Sequence, residues 1–518
     1  MKIFFSLLTF ATVVAHSVSL NAQINFKSVT VEVGKQPVAI FSAGMDEGWD
    51  RINPDTLNII CLGYDANFNG IFDEEDGDEL PSWWKIGGVK NANPNNQNAT
   101  PVTVRKVRDF PNAGAFFPYR CGLSGFATFL DNFLVVPEHN AIRFYNISQE
   151  VDAGKAMNGV ADAVSVGFLD STIFVSIREY DPEDPDPWAL PIAHYVKIFN
   201  ASTYELVDSI PTGNNVQRVL GYRVFKGWTI IDSVECFAVL CENNWGQNST
   251  VEFYESLHNF LIQGMTVEKV RTVEIGRGGN DLVMHRIAAK NNLGAAAIFF
   301  FAVASDKISI ICADESIEND DFDNYFDSDE ILLPAMSSAR EMSIQETTDE
   351  VTGEIIYSAF ISTYSNKIFY LPDLRKTQEF IEIETPKVSE AILNISQDNI
   401  VAAYTNIYED LDFYAPHNTV TIWYDGETSI TSDIYTNFVV FPNPVSDVVN
   451  ILTSQASDVK SIKILDIAGR TVAEISNFHI ANYLLQFKLN STLNTGKYFI
   501  QLETSKATLT QTIIVKQP

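Results

Sequence analysis

Short runs of alternating apolar and polar residues fill most of the chain between residues 24 and 433, and polar turns separate them. Alternation with a period of two is typical of a half-buried β-strand, whereas a surface helix repeats its apolar residues every three or four positions. The peptides FLVVPE at 133–138 and HYVKIFN at 194–200 are clear examples. The middle region therefore predicts all-β structure without amphipathic helices.

The predicted strands recur in groups with a period of about 50 residues. The clearest group covers residues 162–213, where four strands follow one another and a turn at 200–203 joins the last two. Further groups begin near residues 38, 125, 217, 281, 340 and 388. The groups near 125, 281 and 388 show three clear runs each. Seven such groups predict a seven-bladed β-propeller over residues 23–433, and two stacked β-sandwiches are the competing arrangement.

One alternating run, FKSVTVEV at residues 26–33, is left over at the start of this region. It has the pattern of the outer strand that the last group lacks. We therefore predict that it pairs with residues 419–424 or with the neighbouring strand and closes the ring, whereas pairing inside the first group would contradict this closure. The adjoining peptide VGKQP at 33–37 resembles the repeat edge of YncE-like β-propellers.

The first 22 residues have the pattern of a secretory signal peptide. Lys2 supplies the positive charge, residues 3–15 form an apolar core, and small or polar residues follow up to Ala22. The apolar core is shorter than the roughly 20 residues that cross a bilayer as a helix. We expect cleavage after Ala22 and no transmembrane segment elsewhere.

Three motifs follow one another near the C-terminus, among further predicted strands. They are the peptides FPNP at 441–444, DIAGR at 466–470 and LNTGKY at 493–498. Their defining residues are Pro442, Asn443 and Pro444 in the first, Asp466, Gly469 and Arg470 in the second, and Gly496 and Tyr498 in the third. The second motif lies between two alternating runs and predicts a hairpin turn.

These motifs resemble the type A C-terminal sorting domain of the type IX (Por) secretion system of Bacteroidetes, with Phe441 where tyrosine is usual. The resemblance implies that residues 434–518 form a small immunoglobulin-like β-sandwich, which we expect to contain about seven strands. It also implies recognition by the type IX machinery, passage through the outer membrane and removal of the domain, with surface attachment or release. An ordinary immunoglobulin-like domain is the alternative.

The chain is strongly acidic, with a formal net charge of −31. Residues 437–518 contain more Lys and Arg than Asp and Glu, so the negative charge lies in the middle region. Such a field repels nucleic acid and anionic membranes and is compatible with divalent cations or neutral ligands such as glycans. The alternative is that the charge serves only solubility outside the cell. The five cysteines form no CxxC motif, and Cys236 and Cys241 flank an apolar run that predicts buried thiols.

One peptide, DANFNGIFDEED at residues 65–76, predicts a calcium site. Oxygen side chains at positions 1, 3 and 5 converge when the chain turns at the central glycine, and position 7 offers a carbonyl. The predicted ligands are Asp65, Asn67, Asn69, Ile71, Asp73 and Asp76. The spacing resembles the loops of EF-hands and dockerins, although Asp replaces the usual Glu at position 12 and strands flank the loop. A solvated acidic turn is the alternative.

Motifs of common enzyme classes, including GxSxG, HExxH and the P-loop, do not occur in the sequence. Trp83, Trp84, Trp188 and Trp245 are predicted in or near loops, where aromatic rings can stack on sugars. We therefore predict a secreted or surface-displayed binding module with an unknown glycan or protein ligand and assign no catalytic residue. An extracellular hydrolase or lyase with its site at the propeller mouth is the alternative. A bound metal at the centre of the ring, surrounded by His and Asp or Glu, would favour the enzyme, whereas an aromatic or flat polar mouth with no converging carboxylates would favour binding.

Overall fold

The chain forms two compact units, Met1–Tyr424 and Asp425–Pro518. A computed structural model describes residues 26–42, 55–66, 73–111, 128–130, 133–138, 140–181, 190–225, 233–243, 247–256, 267–290, 292–314, 322–348, 354–409, 415–425, 439–441, 448–452, 459–466, 470–475, 478–481, 484–489, 493–504 and 508–516. The predicted signal peptide and the predicted domain boundary at 433/434 lie outside these residues.

The first unit consists of four-stranded antiparallel sheets, or blades, in chain order. Blade 1 contains β2 (Pro37–Ser42), β3 (Thr56–Cys61), β4 (Ser82–Gly87) and β5 (Thr103–Asp109). Blade 2 contains β6 (Thr128–Leu130), β7 (Phe133–Glu138), β8 (Ala141–Asn146) and β9 (Val151–Asn158). Blade 3 contains β10 (Ala163–Leu169), β11 (Thr172–Glu179), β12 (Ala193–Asn200) and β13 (Leu206–Pro211). Blade 4 contains β14 (Val216–Phe225), β15 (Ser233–Cys241), β16 (Thr250–Ser256) and β17 (Val267–Glu274).

Three more blades complete the unit. Blade 5 contains β18 (Asp281–Ala289), β19 (Asn292–Val303), β20 (Lys307–Cys312) and β21 (Glu330–Leu332). Blade 6 contains β22 (Ala339–Thr348), β23 (Ile355–Thr363), β24 (Lys367–Leu371) and β25 (Ile381–Glu384). Blade 7 contains β26 (Ile392–Gln397), β27 (Ile400–Tyr408), β28 (Pro416–Tyr424) and the N-terminal strand β1 (Lys27–Glu32). The helical segments among the described residues are short 3-10 turns at Glu74–Asp76, Val89–Asn91 and Phe322–Asn324.

Blade 7 closes the ring as predicted. Strand β1 pairs antiparallel with β28, with Val29 opposite Ile422 and Val31 opposite Val420. Phe26, just before β1, stacks on Trp423 with ring centroids 5.2 Å apart. The two ends of the propeller sequence are therefore joined by main-chain hydrogen bonds inside one sheet, which excludes pairing of this strand within blade 1.

Apolar cores lie between neighbouring blades all the way around the ring. Buried clusters join blades 1 and 2, 2 and 3, 3 and 4, 4 and 5, 5 and 6, 6 and 7, and 7 and 1. A single blade cannot bury both of its faces, so each depends on its neighbours for its core. This continuous ring confirms the seven-bladed β-propeller and rules out two stacked sandwiches.

The first strand of each blade is the innermost one. First strands contact those of adjacent blades from β6 through β10, β14, β18, β22 and β26 to β2. Glycine permits the closest of these approaches, because a Cβ atom at Gly167 in β10 would lie 2.5 Å from the carbonyl oxygen of Val219 in β14. The starts of these strands therefore gather around the propeller axis.

A turn with a left-handed residue precedes the innermost strand in four blades. The residues with positive φ are Gln36 (51°), Asp162 (56°), Asn215 (54°) and Ser338 (50°). In each case the carbonyl of that residue accepts a hydrogen bond, at 3.0–3.1 Å, from the backbone N–H at the end of the second strand, and the donors are Leu62, Arg178, Glu242 and Tyr364. The repeated bond brings the starts of the innermost strands to one end of the ring.

Some groups show only three clear alternating runs in the sequence although their blades contain four strands, and strands β9 and β21 show why. Outer strand β9 is mostly exposed on both faces, so it lacks the alternation that marks a half-buried strand. Strand β21 has only three residues.

The predicted buried thiols are confirmed, because Cys236 and Cys241 lie on β15 as buried thiols, and burial raises the pKa of Cys241.

The second unit is a sandwich of two four-stranded antiparallel sheets. One sheet has the order β29 (Val439–Phe441), β30 (Val448–Leu452), β34 (Leu484–Lys488) and β33 (His479–Ala481). The other has the order β32 (Thr471–Ile475), β31 (Val459–Leu465), β35 (Gly496–Thr504) and β36 (Thr508–Val515). Apolar side chains of both sheets form one core. The described residues of this unit contain eight strands, in line with the expectation of about seven.

Candidate functional site

The second C-terminal motif closes a hairpin. Asp466 follows β31 and Arg470 precedes β32, and the Asp466 N–H donates to the Arg470 carbonyl at 2.9 Å. In return, the Arg470 backbone N–H donates to Asp466 Oδ1 at 2.9 Å, and the Arg470 guanidinium contacts Asp466 Oδ2 at 2.7–2.8 Å. The Asp and Arg of the motif therefore hold the turn together, while Gly469 lies outside the described residues.

The third motif begins β35. Gly496 is the first residue of the strand, and Leu493 is buried in the sandwich core. The hydroxyl of Tyr498 donates to the carbonyl of Asn494 at 3.1 Å and so ties the strand to its own approach. Of the first motif, Phe441 ends β29 and pairs with Asn450, whereas Pro442, Asn443 and Pro444 lie outside the described residues.

The predicted calcium loop is described only at its ends. Asn67, Asn69 and Ile71 lie outside the described residues. Asp65 is half-buried, whereas Asp73 and Asp76 are exposed. Asp73 Oδ1 accepts the Glu75 N–H at 2.9 Å and begins the 3-10 turn that contains Asp76. Among the described residues, no three His, Cys, Asp or Glu side chains form a group that could hold a metal ion.

A carboxylate that the sequence pattern did not single out closes this loop. Asp78 Oδ1 accepts the Ala66 N–H at 2.7 Å, and Asp78 Oδ2 accepts the Asp73 N–H at 2.8 Å. Tyr64 and Glu79 form an antiparallel bridge just outside it. The two ends of the loop are therefore held together by these contacts, which do not use the side chains of the predicted ligands at positions 1, 9 and 12.

The tryptophans do not form an exposed stacking surface in the described part of the chain. Trp83 and Trp84 lie on β4, not in loops as predicted. Trp83 is buried and donates through Nε1 to Asn58 Oδ1 at 2.9 Å, and half-buried Trp84 donates to Ser82 Oγ at 2.9 Å. Trp188 and Trp245 lie outside the described residues.

A charged cluster that no linear motif predicted lies where the innermost strands begin. It consists of Arg218 on β14, Asp281 on β18, Arg340 and Glu341 on β22, and Glu390 just before β26. We call these five residues the axial cluster. They come from blades 4 to 7 and meet because the innermost strands of these neighbouring blades contact one another around the propeller axis.

The first ion pair of the axial cluster joins Glu390 to Arg340. The two oxygens of Glu390 accept hydrogen bonds from Arg340 Nε and Nη2, each at 3.0 Å, and the Tyr364 hydroxyl donates to Oε2 as well. Arg340 also donates from Nη1 to Asn280 Oδ1 at 2.6 Å. Burial opposes the charge on Arg340, but Glu390, Tyr364 and Glu242 together outweigh it and raise the pKa of the guanidinium. Burial, together with Glu390, raises the pKa of Tyr364.

The second ion pair of the cluster joins blades 4 and 5. Arg218 Nη1 lies 3.0 Å from Asp281 Oδ1, and the Asp281 side chain is buried. Asp281 Oδ1 also accepts the Leu282 N–H at 2.8 Å, and Oδ2 accepts the Met342 N–H at 3.3 Å. Both oxygens are therefore engaged, which compensates the cost of burying this charge.

Glu341 differs from Asp281 and Glu390, the other two carboxylates of the axial cluster. It is half-buried, and no ion pair joins it to another side chain among the described residues. Burial raises the pKa of Glu341 well above its usual value, and the charges of Asp281 and Glu390 raise it further. Arg218 and a hydrogen bond with the backbone of Ile392 act in the opposite direction. These surroundings therefore favour the protonated form of Glu341.

The cluster opens into a cavity of about 340 Å³ along β14, β18 and β22. Arg218, Asp281 and Glu341 form its charged end. Leu220, Val283, Met284 and Ile344 give it an apolar wall, with His285 and Ser343 as further polar members. Met284 is 37% exposed on an innermost strand. We call this cavity, together with the axial cluster, the axial entrance; it can hold a small ligand that has both a polar and an apolar part.

Comparison with known proteins identifies the second unit. Residues 439–516 match the family model of the secretion system C-terminal sorting domain. This match confirms the resemblance seen in the three motifs and indicates export of the protein by type IX secretion. No curated protein matches the sequence. None of the helices in the described part of the chain has the length and apolarity needed to cross a bilayer.

Solved structures with similar folds are distant. One is PorZ, a surface component of the type IX secretion system of Porphyromonas gingivalis, at 10% identity and a TM-score of 0.37, covering 93% of this chain and 61% of that chain. The Pan2 WD40 domain of Neurospora crassa is 10% identical with a TM-score of 0.38, covering 76% of this chain and 94% of that domain. A quinohemoprotein alcohol dehydrogenase of Pseudomonas putida is 7% identical with a TM-score of 0.39, and 77% of each chain is covered. These scores carry no functional conclusion, and the propeller assignment rests on the strand pairings.

Proposed function

We propose that this protein is delivered outside the cell by type IX secretion and that its propeller works there as a binding module, with the axial entrance as its ligand site. The observation that supports a binding role is the state of the carboxylates at this entrance. Asp281 and Glu390 are each held by an arginine at 3.0 Å. Hydrolysis by a carboxylate pair needs two carboxyl groups that can reach the substrate. Of the three carboxylates of the axial cluster, only Glu341 lacks an ion pair among the described residues.

An extracellular hydrolase or lyase is the second candidate, and the raised pKa of Glu341 favours it. A buried carboxyl that keeps its proton at neutral pH is the usual form of a general acid. Release of product from a polysaccharide or peptide incubated with the purified protein, lost in Glu341→Gln, would support catalysis. Retention of an unchanged ligand would support binding.

The proposed location is the cell surface or the medium, after removal of the signal peptide and the sorting domain. Deletion of residues 437–518 tests this route. The deletion leaves the propeller unit Met1–Tyr424 and its closing strand intact. We expect the full-length protein in the outer-membrane or medium fraction and the truncated protein in the periplasm. Normal surface display of the truncated protein would contradict the sorting role.

The binding role can be tested by filling the entrance. We choose Met284→Trp, because Met284 lines the cavity on an innermost strand, and Leu332→Trp as the control, because Leu332 is 54% exposed on outer strand β21. Purified proteins are applied to glycan and peptide arrays. We expect a ligand retained by the wild type and the control to be lost by Met284→Trp. Equal retention by all three proteins, or no retained ligand, contradicts a binding role for the entrance.

We also propose that the loop at residues 65–76 binds calcium. The proposal rests on the oxygen-ligand spacing in the sequence and on the half-buried position of Asp65 at the start of the loop. Asp78 supports the proposal indirectly, because its hydrogen bonds hold the two ends of the loop together. A site with Asp at position 12 is expected to be weak, and extracellular modules of this kind work in the 10⁻⁴–10⁻³ M range.

A further inference from the structure

We propose that the axial entrance binds a cationic group on an apolar stem, such as the ammonium or guanidinium of a lysine or arginine side chain, through the carboxyl group of Glu341. This inference rests on the proposed function, because it names the ligand chemistry of the same site. It follows from the balance of charges in the axial cluster and from the composition of the cavity wall.

The axial cluster contains one negative charge more than positive charges when all its members are ionised. Arg218 is taken up by Asp281, and Arg340 by Glu390. Arg218 also lowers the pKa of Glu341, but neither arginine forms an ion pair with Glu341 among the described residues. A single positive charge placed at Glu341 would therefore complete the cluster, and a carboxylate that gains a charged donor forms one of the stronger hydrogen bonds in proteins.

The cavity beyond Glu341 fits a stem rather than a bare ion. Its volume of about 340 Å³ corresponds to on the order of ten water molecules. Leu220, Met284 and Ile344 line it, so methylene groups would be transferred from water to an apolar wall. The acidic field of the protein, with a net charge of −31, attracts cations toward this site.

Binding of a cation is expected to displace a proton. Burial and the facing charges of Asp281 and Glu390 raise the pKa of Glu341, against Arg218 and the backbone of Ile392. The empty site therefore favours the protonated form of this carboxyl group. An ammonium ion favours the ionised carboxylate, so it lowers the pKa of Glu341 and releases up to one proton for each ligand bound.

The test is calorimetric titration of the full chain with n-pentylammonium, n-pentanol and n-pentanoate near pH 7, in two buffers of different ionisation enthalpy. We expect n-pentylammonium to bind with a Kd of about 1 mM, with proton release, and the neutral and anionic analogues to bind at least about 10-fold more weakly. Binding of n-pentanol as tight as that of n-pentylammonium overturns the proposal without any variant.

Two isosteric variants locate the site. Glu341→Gln should weaken n-pentylammonium binding about 10- to 100-fold and abolish proton release. Glu346→Gln, which removes the same charge from an exposed position on the same strand, should leave the Kd unchanged. Equal loss in both variants would mean that the field of the protein, not this carboxyl group, attracts the cation. If n-pentylammonium fails to bind but Met284→Trp still loses an array ligand, the ligand class is wrong and the binding role stands.

Discussion

Glu390 is expected to be one of the most sensitive positions of the propeller, because its carboxylate is buried and joins two blades. Its side chain is 3% exposed, and it accepts hydrogen bonds from Arg340 and Tyr364. Removing one partner of a buried ion pair costs about 3–5 kcal/mol, since the other charge stays in a place that water cannot reach. Arg340 is 19% exposed and keeps its bond to Asn280, so we expect Glu390→Ala to cost about 3 kcal/mol.

The measurement is urea unfolding followed by tryptophan fluorescence. All seven tryptophans precede residue 425, so the signal reports on the propeller and not on the sorting domain. The matched control is Glu382→Ala on outer strand β25, where Lys367 and Glu382 form an ion pair at 2.6 Å with 37% and 40% of the side chains exposed. An exposed pair contributes about 0–1 kcal/mol, so the control should barely move the midpoint.

A double-mutant cycle distinguishes the interaction between the two charges from the cost of burying each charge alone. Replacing both partners, as Arg340→Met with Glu390→Leu, removes both charges and should cost less than the sum of the two single changes. Two results would contradict the expected cost of removing one member of this buried ion pair. One is a loss below about 1 kcal/mol for Glu390→Ala, and the other is an additive double variant.

Three further predictions concern ring closure, calcium and pH. Phe26→Ala removes the ring stacked on Trp423 and should lower the free energy of unfolding by about 2 kcal/mol, because the side chain is half-buried; an unchanged urea midpoint would contradict closure by this segment. Calcium should raise the melting temperature of the wild type through about 1–3 kcal/mol of binding free energy, and Asp65→Ala should remove that response. If calorimetry of the wild type detects no heat on addition of calcium and the melting temperature does not change, the loop is only an acidic turn. Glu341 has a raised pKa in the folded state, so its stabilising effect is present at acidic pH and is lost as pH rises from the usual carboxyl value toward the folded-state pKa, at up to about 1.4 kcal/mol per pH unit. Glu341→Gln should therefore gain stability relative to the wild type as pH rises from about 4 to 8, and a difference that does not change with pH would contradict this assignment.

Local patterns predicted most of the fold. Alternation of apolar and polar residues identified the half-buried strands, because a pleated strand turns successive side chains to opposite faces. The leftover run at 26–33 was assigned to the last blade by counting strands, and its pairing with β28 is confirmed. The motif containing Asp466 and Arg470 predicted a hairpin, since both partners of the closing contacts lie within five residues.

Local sequence patterns do not show which distant residues meet, because those contacts form only when the chain folds. Trp83 looked like a loop residue but is buried on β4, because the neighbouring blade covers it. Strand β9 does not show the alternation of apolar and polar residues, because neither of its faces is buried along most of its length. The axial cluster shows the same limit at the candidate site. Asp281, Glu341 and Glu390 are separated by long stretches of chain, and no spacing rule links them. They meet because seven blades close into a ring, and ring closure depends on cores shared between blades rather than on any local sequence.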